Sequence, residues 1–153
     1  MAVRGRSAGF TLLEMLVVLA IIAAASLLAM AAFGNGLRGA RLHSGAKEVA
    51  AQLRFTRALA IASGVPQEFV IDPAARAWRA PKGRHGRLPD TGELVFTGAR
   101  DLQPTAGEGA VRFFPDGAAT GGRVRLVANG GGWDVDVAWL TGEVRVRRIG
   151  ATR

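Results

Sequence analysis

From Phe10 to Phe33 the chain is apolar at nearly every position, and Glu14 is the one charged residue in that stretch. A helix needs about 20 such residues to cross the hydrocarbon of a bilayer, so this run is long enough. Beyond it the pattern changes. Leu42, Ala46, Val49, Leu53, Thr56 and Ala60 recur at alternating steps of four and three, the spacing of one helical face. Ala51, Phe55, Ala58 and Ala62 are expected to broaden that stripe. The helix is predicted to end near Ser63-Gly64, with Pro66 just past it as a stop. Between the two stretches Gly34-Asn35-Gly36 is a weak point for any helix and a place for the halves to bend.

After Pro66 the period shortens to two. Gln67 to Asp72 and Arg76 to Ala80 flank Pro73-Ala74-Ala75 and read as a hairpin. Pro81 to Gly92, rich in Gly and basic residues, reads as a polar loop. Glu93 to Thr97, Ala110 to Phe114, Gly122 to Ala128, Trp133 to Leu140 and Glu143 to Arg148 continue the alternation. Asp116-Gly117, Asn129-Gly130 and Thr141-Gly142 separate them as turns. Many short strands joined by tight turns pair antiparallel. A helix packed on such strands, in one sheet or two layers, gives an α+β head behind an apolar anchor.

The 153 residues hold material for one core, and 49% are hydrophobic, an ordinary share. Net charge is +8. Every basic residue but Arg4 and Arg6, and every acidic one but Glu14, lies beyond Phe33, so the excess belongs almost wholly to the head. A basic face attracts nucleic acid or anionic lipid, and Arg123, Arg125, Arg145, Arg147 and Arg148 alternate along two predicted strands where they can line such a face. Asp134, Asp136 and Glu143 lie among the same strands and dilute it. With no cysteine, a disulfide framework and a thiolate metal site are both excluded.

The N-terminal segment admits two readings. A short basic start followed by an apolar core and Ala29-Met30-Ala31 has the formal plan of a cleaved secretory signal, which would release a soluble domain beginning at Ala32. The run is long for that, and Glu14 sits inside it. Arg4 and Arg6 argue for a cytoplasmic N-terminus, while Arg38, Arg41 and Lys47 follow the other end, so flanking charge does not decide the orientation.

Gly9-Phe10-Thr11-Leu12-Leu13-Glu14-Met15-Leu16-Val17-Val18-Leu19 resembles the prepilin motif of type IV pilins and type II secretion pseudopilins. The resemblance implies that a membrane peptidase cuts between Gly9 and Phe10 and methylates Phe10. It divides the chain into a leader 1–9, a transmembrane helix 10–33, a helix 34–64 continuing into the head, and a β-rich periplasmic domain 65–153. Glycine suits the cut, because a backbone without a side chain enters a narrow cleft freely. A carboxylate deep in lipid costs about 2.5–3.5 kcal/mol and calls for a partner. For Glu14 the resemblance implies an assembly role, paired with the Phe10 ammonium of a neighbouring subunit; snorkelling to the interface is the plainer alternative.

Phe113-Phe114-Pro115-Asp116-Gly117, Thr120-Gly121-Gly122-Arg123, Trp133 and Trp139-Leu140-Thr141-Gly142 resemble the C-terminal β domain of H-type minor pseudopilins, the GspH/FimT group. Read as residues alone they are sheet and turn chemistry, with Gly where φ is positive and Trp filling the core. The resemblance implies a structural subunit of a pseudopilus, at or near its tip, anchored in the inner membrane. Its implied partners are other major and minor pseudopilins, the prepilin peptidase and the inner-membrane secretion platform. A FimT-like pilin that binds DNA for uptake through those arginines is the rival reading.

Catalytic and cofactor chemistry find little support. His43 and His85 lack acidic or cysteine neighbours at ligand spacing, and Lys82-Gly83-Arg84-His85-Gly86-Arg87 lacks Walker spacing. Asp134 and Asp136 share a strand face as paired carboxylates would, yet the polar outer face of a sheet predicts the same pattern. No enzyme, metal or cofactor is therefore expected.

Overall fold

The computed structural model describes residues 11–98, 105, 107–128 and 131–150. The chain falls into two compact units, Met1–Leu37 and Arg38–Arg153. Helix α1, Leu12–Ser63, begins in the first and ends in the second, and helical pairing is assigned throughout, Gly34-Asn35-Gly36 included. Within the first unit Leu12–Ala29 has a mean hydropathy of 2.6, and none of it is buried among the described residues. The length and apolarity fit a membrane anchor.

The head is α+β. Among the described residues eight strands follow the helix: β1 Gln67–Asp72, β2 Ala77–Ala80, β3 Arg84–Arg87, β4 Glu93–Thr97, β5 Gly109–Phe113, β6 Gly122–Ala128, β7 Gly131–Val137 and β8 Val144–Gly150. They form two four-stranded antiparallel sheets, ordered β3-β2-β1-β5 and β4-β6-β7-β8. One apolar cluster joins all three layers. Leu42, Ala46, Val49, Leu53 and Ala60 of α1 pack with Phe69, Ile71, Trp78 and Phe113 of the first sheet and with Val124, Leu126, Val135 and Val137 of the second. The predicted stripe is buried at every position. Thr56, the polar member, turns its hydroxyl to the Gln52 carbonyl at 2.8 Å, which satisfies it without a partner from the sheets.

Small residues set how closely the layers approach. A Cβ at Gly45 would lie 3.0 Å from Pro89 Cδ and 3.3 Å from a Leu126 methyl, so the helix backbone rests nearly against the second sheet. The helix stops where expected. Gly64 takes φ +67°, and its N–H donates to the Ala60 carbonyl at 3.1 Å, closing the last turn in the left-handed form that glycine adopts at little cost.

Four expectations are corrected. The stretch from Pro81 to Gly92 is not all loop, since β3 lies inside it and pairs with β2 from Ala77↔Arg87 to Ala80↔Arg84. Its sequence Arg-His-Gly-Arg carries no apolar alternation. The pairing rests on backbone hydrogen bonds and on Gly86, whose missing Cβ leaves room for the Trp78 indole at what would be 2.6 Å. The second helical seam is not core: Ala51, Ala58 and Ala62 are exposed and Phe55 is half-buried. Alanine carries too little apolar surface to demand cover, and Phe55 instead takes the Arg84 guanidinium over its ring, 4.4 Å from the centroid. Of the tryptophans only Trp78 fills the core, with its indole N–H donating to Glu48 Oε1 at 2.9 Å, while Trp139 is 70% exposed. Finally, β7 ends at Val137, so Trp139 and Leu140 belong to a turn.

Candidate assembly surfaces

The apolar helix starts on Thr11. Its hydroxyl accepts the Glu14 backbone N–H at 3.2 Å, an N-terminal cap three residues ahead of an acidic first-turn side chain. A carboxylate is favoured there by the positive end of the helix dipole. Glu14 is exposed, as are the leucines, valines and isoleucines that follow it. Further along, Ser26 Oγ donates to the Ile22 carbonyl at 2.7 Å, so this hydroxyl is internally satisfied within an apolar stretch. Gly9 and Phe10 lie outside the described residues.

Four of the five candidate arginines, Arg123, Arg125, Arg145 and Arg147, occupy the outer face of the second sheet. Registers Arg123↔Asp136↔Arg145 and Arg125↔Asp134↔Arg147 place a carboxylate of the central strand β7 between cations of β6 and β8. Arg125 grips Asp134 with two hydrogen bonds of 2.8 Å. Asp136 takes Arg123 on one oxygen at 2.5 Å and Arg147 on the other at 2.6 and 2.9 Å. Arg145 turns along its own strand to Glu143, again with two bonds of 2.8 Å. Arg148 does not belong with these. It stands opposite Trp133, one position out of phase with Arg147, and therefore on the other face.

Such a face is a ladder of alternating charge. Four guanidinium groups are paired with three carboxylates, Arg125 and Arg145 in bidentate fashion, which leaves a net excess of one positive charge on this face. That arrangement disfavours a phosphate backbone as ligand, because binding it would first break these pairs. The two carboxylates of β7 are thus sheet chemistry, as the alternation predicts. Asp134 is 3% exposed, and the Arg125 guanidinium beside it holds its carboxyl below the usual carboxylate range against the opposing effect of burial.

A pH dependence follows. A carboxyl whose value is lowered by folding stabilises the head above its unfolded value, about 3.9, and loses that contribution as pH falls through the folded value. The isolated head Arg38–Arg153 is expected to fold with its helix and two sheets, and its thermal midpoint to drop on acidification below about pH 4. Asp134→Asn should cost on the order of 1 kcal/mol at neutral pH, since the partner arginine is partly solvated, and should flatten the acid limb. Thermal melts followed by circular dichroism from pH 7 to 3 check both; an equally steep limb in Asp134→Asn would dismiss the assignment.

His43 packs against Trp133 with ring centroids 4.1 Å apart and the planes tilted by 38°, and His85 lies on the exposed strand β3. Among the described residues no group of three or more His, Asp or Glu side chains is placed to hold a metal ion.

The family model described as Type II transport protein GspH matches residues 45–142, most of the head. A second, the prokaryotic N-terminal methylation motif, matches residues 4–30. The chain is also 54% identical over 143 residues to the type II secretion system protein H of Xanthomonas campestris pv. campestris, spanning 94% of this chain and 85% of that protein. The chain belongs to the GspH family. It is a minor pseudopilin, a pilin-like subunit of a type II secretion system. The two units match this division: the methylation motif falls on the apolar helix and the GspH model on the head. The fold agrees as well. Crystal structures of the type IV minor pilin FimU of Pseudomonas aeruginosa PAO1 share it at TM-scores of 0.52 and 0.51, covering 69% of this chain and 87% and 92% of theirs, at 15% identity. That likeness concerns the fold alone. The family also selects between the rival readings, since secretion and not DNA uptake is the system of the close relative.

One surface of the head was not legible as a site. The last turns of α1 and the β7–β8 turn enclose an open depression of about 400 Å³, lined by Arg54, Arg57, Ala58 and Ile61 on one side and by Gly142 to Val144 on the other. Its two walls are far apart in sequence.

Proposed function

We propose that this GspH-family chain is cut between Gly9 and Phe10, methylated at Phe10, and held in the inner membrane by one helix with its head in the periplasm. It joins other pseudopilins through packed apolar helices, at or near the tip of a short filament that drives folded proteins across the outer membrane. Its chemistry is association and not turnover. Glu14 pairs with the Phe10 ammonium of a neighbouring subunit. The observation that carries this reading is the methylation-motif match over residues 4–30, together with an exposed first-turn carboxylate at the head of an otherwise apolar, uncovered helix.

The prepilin peptidase and the inner-membrane platform are the partners this route requires. An uncovered apolar surface the length of Leu12–Ala29 must lie in lipid or against like helices, and a filament of pilin-like subunits supplies the latter once the subunit leaves the membrane. Intact-mass and N-terminal analysis of the protein purified from its own cells is expected to find a chain that starts at N-methylated Phe10. A start at Ala32 would mean a released soluble domain and would remove the pilin-like pathway.

A further inference from the structure

Arg54, Arg57, Ala58 and Ile61 fall on one face of the last turns of α1, and the β7–β8 turn faces them across the depression of about 400 Å³. Both guanidinium groups are pinned. Arg54 donates Nη2 to the Val144 carbonyl and Arg57 donates Nε to the Gly117 carbonyl, each at 3.0 Å. Those bonds fix the forks in place through neutral carbonyls, and among the described residues the one carboxylate near enough for Arg57 to act on is that of Glu143 on the rim. Among the described residues neither arginine forms an ion pair, and Glu143 on the rim is already held by Arg145 at both oxygens. Each guanidinium keeps further N–H donors in a planar fork whose natural complement is a carboxylate.

The surroundings of these cations are apolar. Ala58 and Ile61 line the groove, with Ile61 47% exposed, and Val144 lies opposite. Just before Thr141, in the same turn, Trp139 and Leu140 are 70% and 67% exposed. Their exposure is not slackness of the chain. The Trp139 carbonyl accepts the Ala119 N–H at 2.9 Å, Ala138 N–H donates to the Glu143 carbonyl at 3.0 Å, and Gly142 N–H donates to the Ala138 carbonyl at 2.8 Å. Gly142 is itself required there: a Cβ would stand 2.2 Å from the Gly117 carbonyl oxygen and 2.9 Å from Arg57 Nε, at φ +62°. The turn presents a leucine and a tryptophan to solvent beside two fixed arginines, and tryptophan and arginine are among the residue types that dominate binding energy at protein interfaces.

We propose that this groove and its Trp139-Leu140 rim dock an acidic segment, carrying at least one apolar side chain, on the head of a different pilin-like subunit of the same filament. The carboxylate meets the forks of Arg54 and Arg57, and the apolar side chain covers Ala58, Ile61 and the rim. The chemistry selects among occupants. A nucleic acid would need cations strung along a surface and not two in an apolar-walled depression. A second copy of this chain brings its own excess of +8, and on β6 to β8 its carboxylates are already paired, so an acidic partner complements the groove better.

The docking rests on the pseudopilin reading, and the test separates the two. A photoreactive phenylalanine is placed at Leu140 of the full-length chain, in cells with an intact secretion system, and the cross-linked peptide is mapped by mass spectrometry. The expected peptide comes from another pilin-like subunit and has Asp or Glu within a few residues of the cross-link. Ala58→Glu, at an exposed helix position that tolerates glutamate, puts a carboxylate of the chain's own between the two arginines. It should lower the cross-link at least tenfold and impair secretion. Arg54→Gln with Arg57→Gln should do the same, and its melting curve reports whether the head remains folded. A cross-link to a second copy, to lipid or to a secreted substrate would overturn the proposal, as would a cross-link unmoved by Ala58→Glu. Normal secretion in Ala58→Glu beside a defect in cells lacking the chain would refute the groove alone, whereas normal secretion in both would refute the pseudopilin reading itself.

Discussion

Glu14→Leu is expected to leave insertion and cleavage intact while reducing secretion to the level of cells lacking the protein. The substitution removes the one ionisable group from an apolar helix whose mean hydropathy is already 2.6 over Leu12–Ala29, so partition into the bilayer becomes easier. The junction of Gly9 and Phe10 is untouched, so the peptidase still meets its substrate. What disappears is the only charge in the apolar run that can answer the ammonium created at Phe10 by cleavage. In a medium of low dielectric the attraction within such a pair offsets the cost of desolvating both charges, and either partner left alone there is strongly disfavoured. The new Phe10 ammonium would then have no partner in the filament, and subunits should accumulate in the membrane in mature form. Fractionation, an anti-head immunoblot and a secretion assay measure the three steps separately. If Glu14→Leu enters filaments and secretes normally, the pairing is wrong, and the carboxylate only reaches back to the interface.

Much of the head is legible from spacing because burial imposes it. Leu42, Ala46, Val49, Leu53, Thr56 and Ala60 could be named as one face because two sheets cover that face and no other, so each step of three or four had to return an apolar or small residue. Gln67–Asp72, Glu93–Thr97 and Gly122–Ala128 emerge with their predicted ends, since Gly and Pro bracket two-faced strands. β3 escaped because both of its faces are polar and its pairing is a backbone matter at a sheet edge. The alanine seam from Ala51 to Ala62 misled for the converse reason: helical spacing of alanines is compatible with solvent, and no sheet lies over them.

The candidate sites divide in the same way. On the proposed reading Gly9, Phe10 and Glu14 form a local signal, because a peptidase and a membrane would act on a short contiguous segment. The five arginines were readable as a set but not as a state. Their alternation shows which face they share, but only the register with β7 reveals Asp134 and Asp136 standing between them, and it removes Arg148 from the group. The groove had no local signal at all. Arg54 meets the Val144 carbonyl across 90 positions of chain, and Arg57 meets Gly117 across 60, so the depression exists only once α1 has packed against the β7–β8 turn.

The central claim is that this chain serves protein secretion, and removing it altogether tests that most directly. The deletion should have the largest effect of any change, because a minor subunit whose helix must pack among others has no substitute once absent. The same deletion should leave DNA uptake unchanged. Four of the five arginines that a DNA receptor would employ are bound by Asp134, Asp136 and Glu143, and Arg148 lies on the other face, so the head should hold duplex DNA only non-specifically, on the order of 10⁻⁴ to 10⁻⁶ M at physiological salt and weaker as salt rises. The decisive measurement is secreted protein in the culture medium of the deletion strain, beside its transformation frequency and with the wild-type chain restored as control. Secretion lost and regained with the chain, at constant transformation, is the predicted result; normal secretion with lost transformation would contradict it.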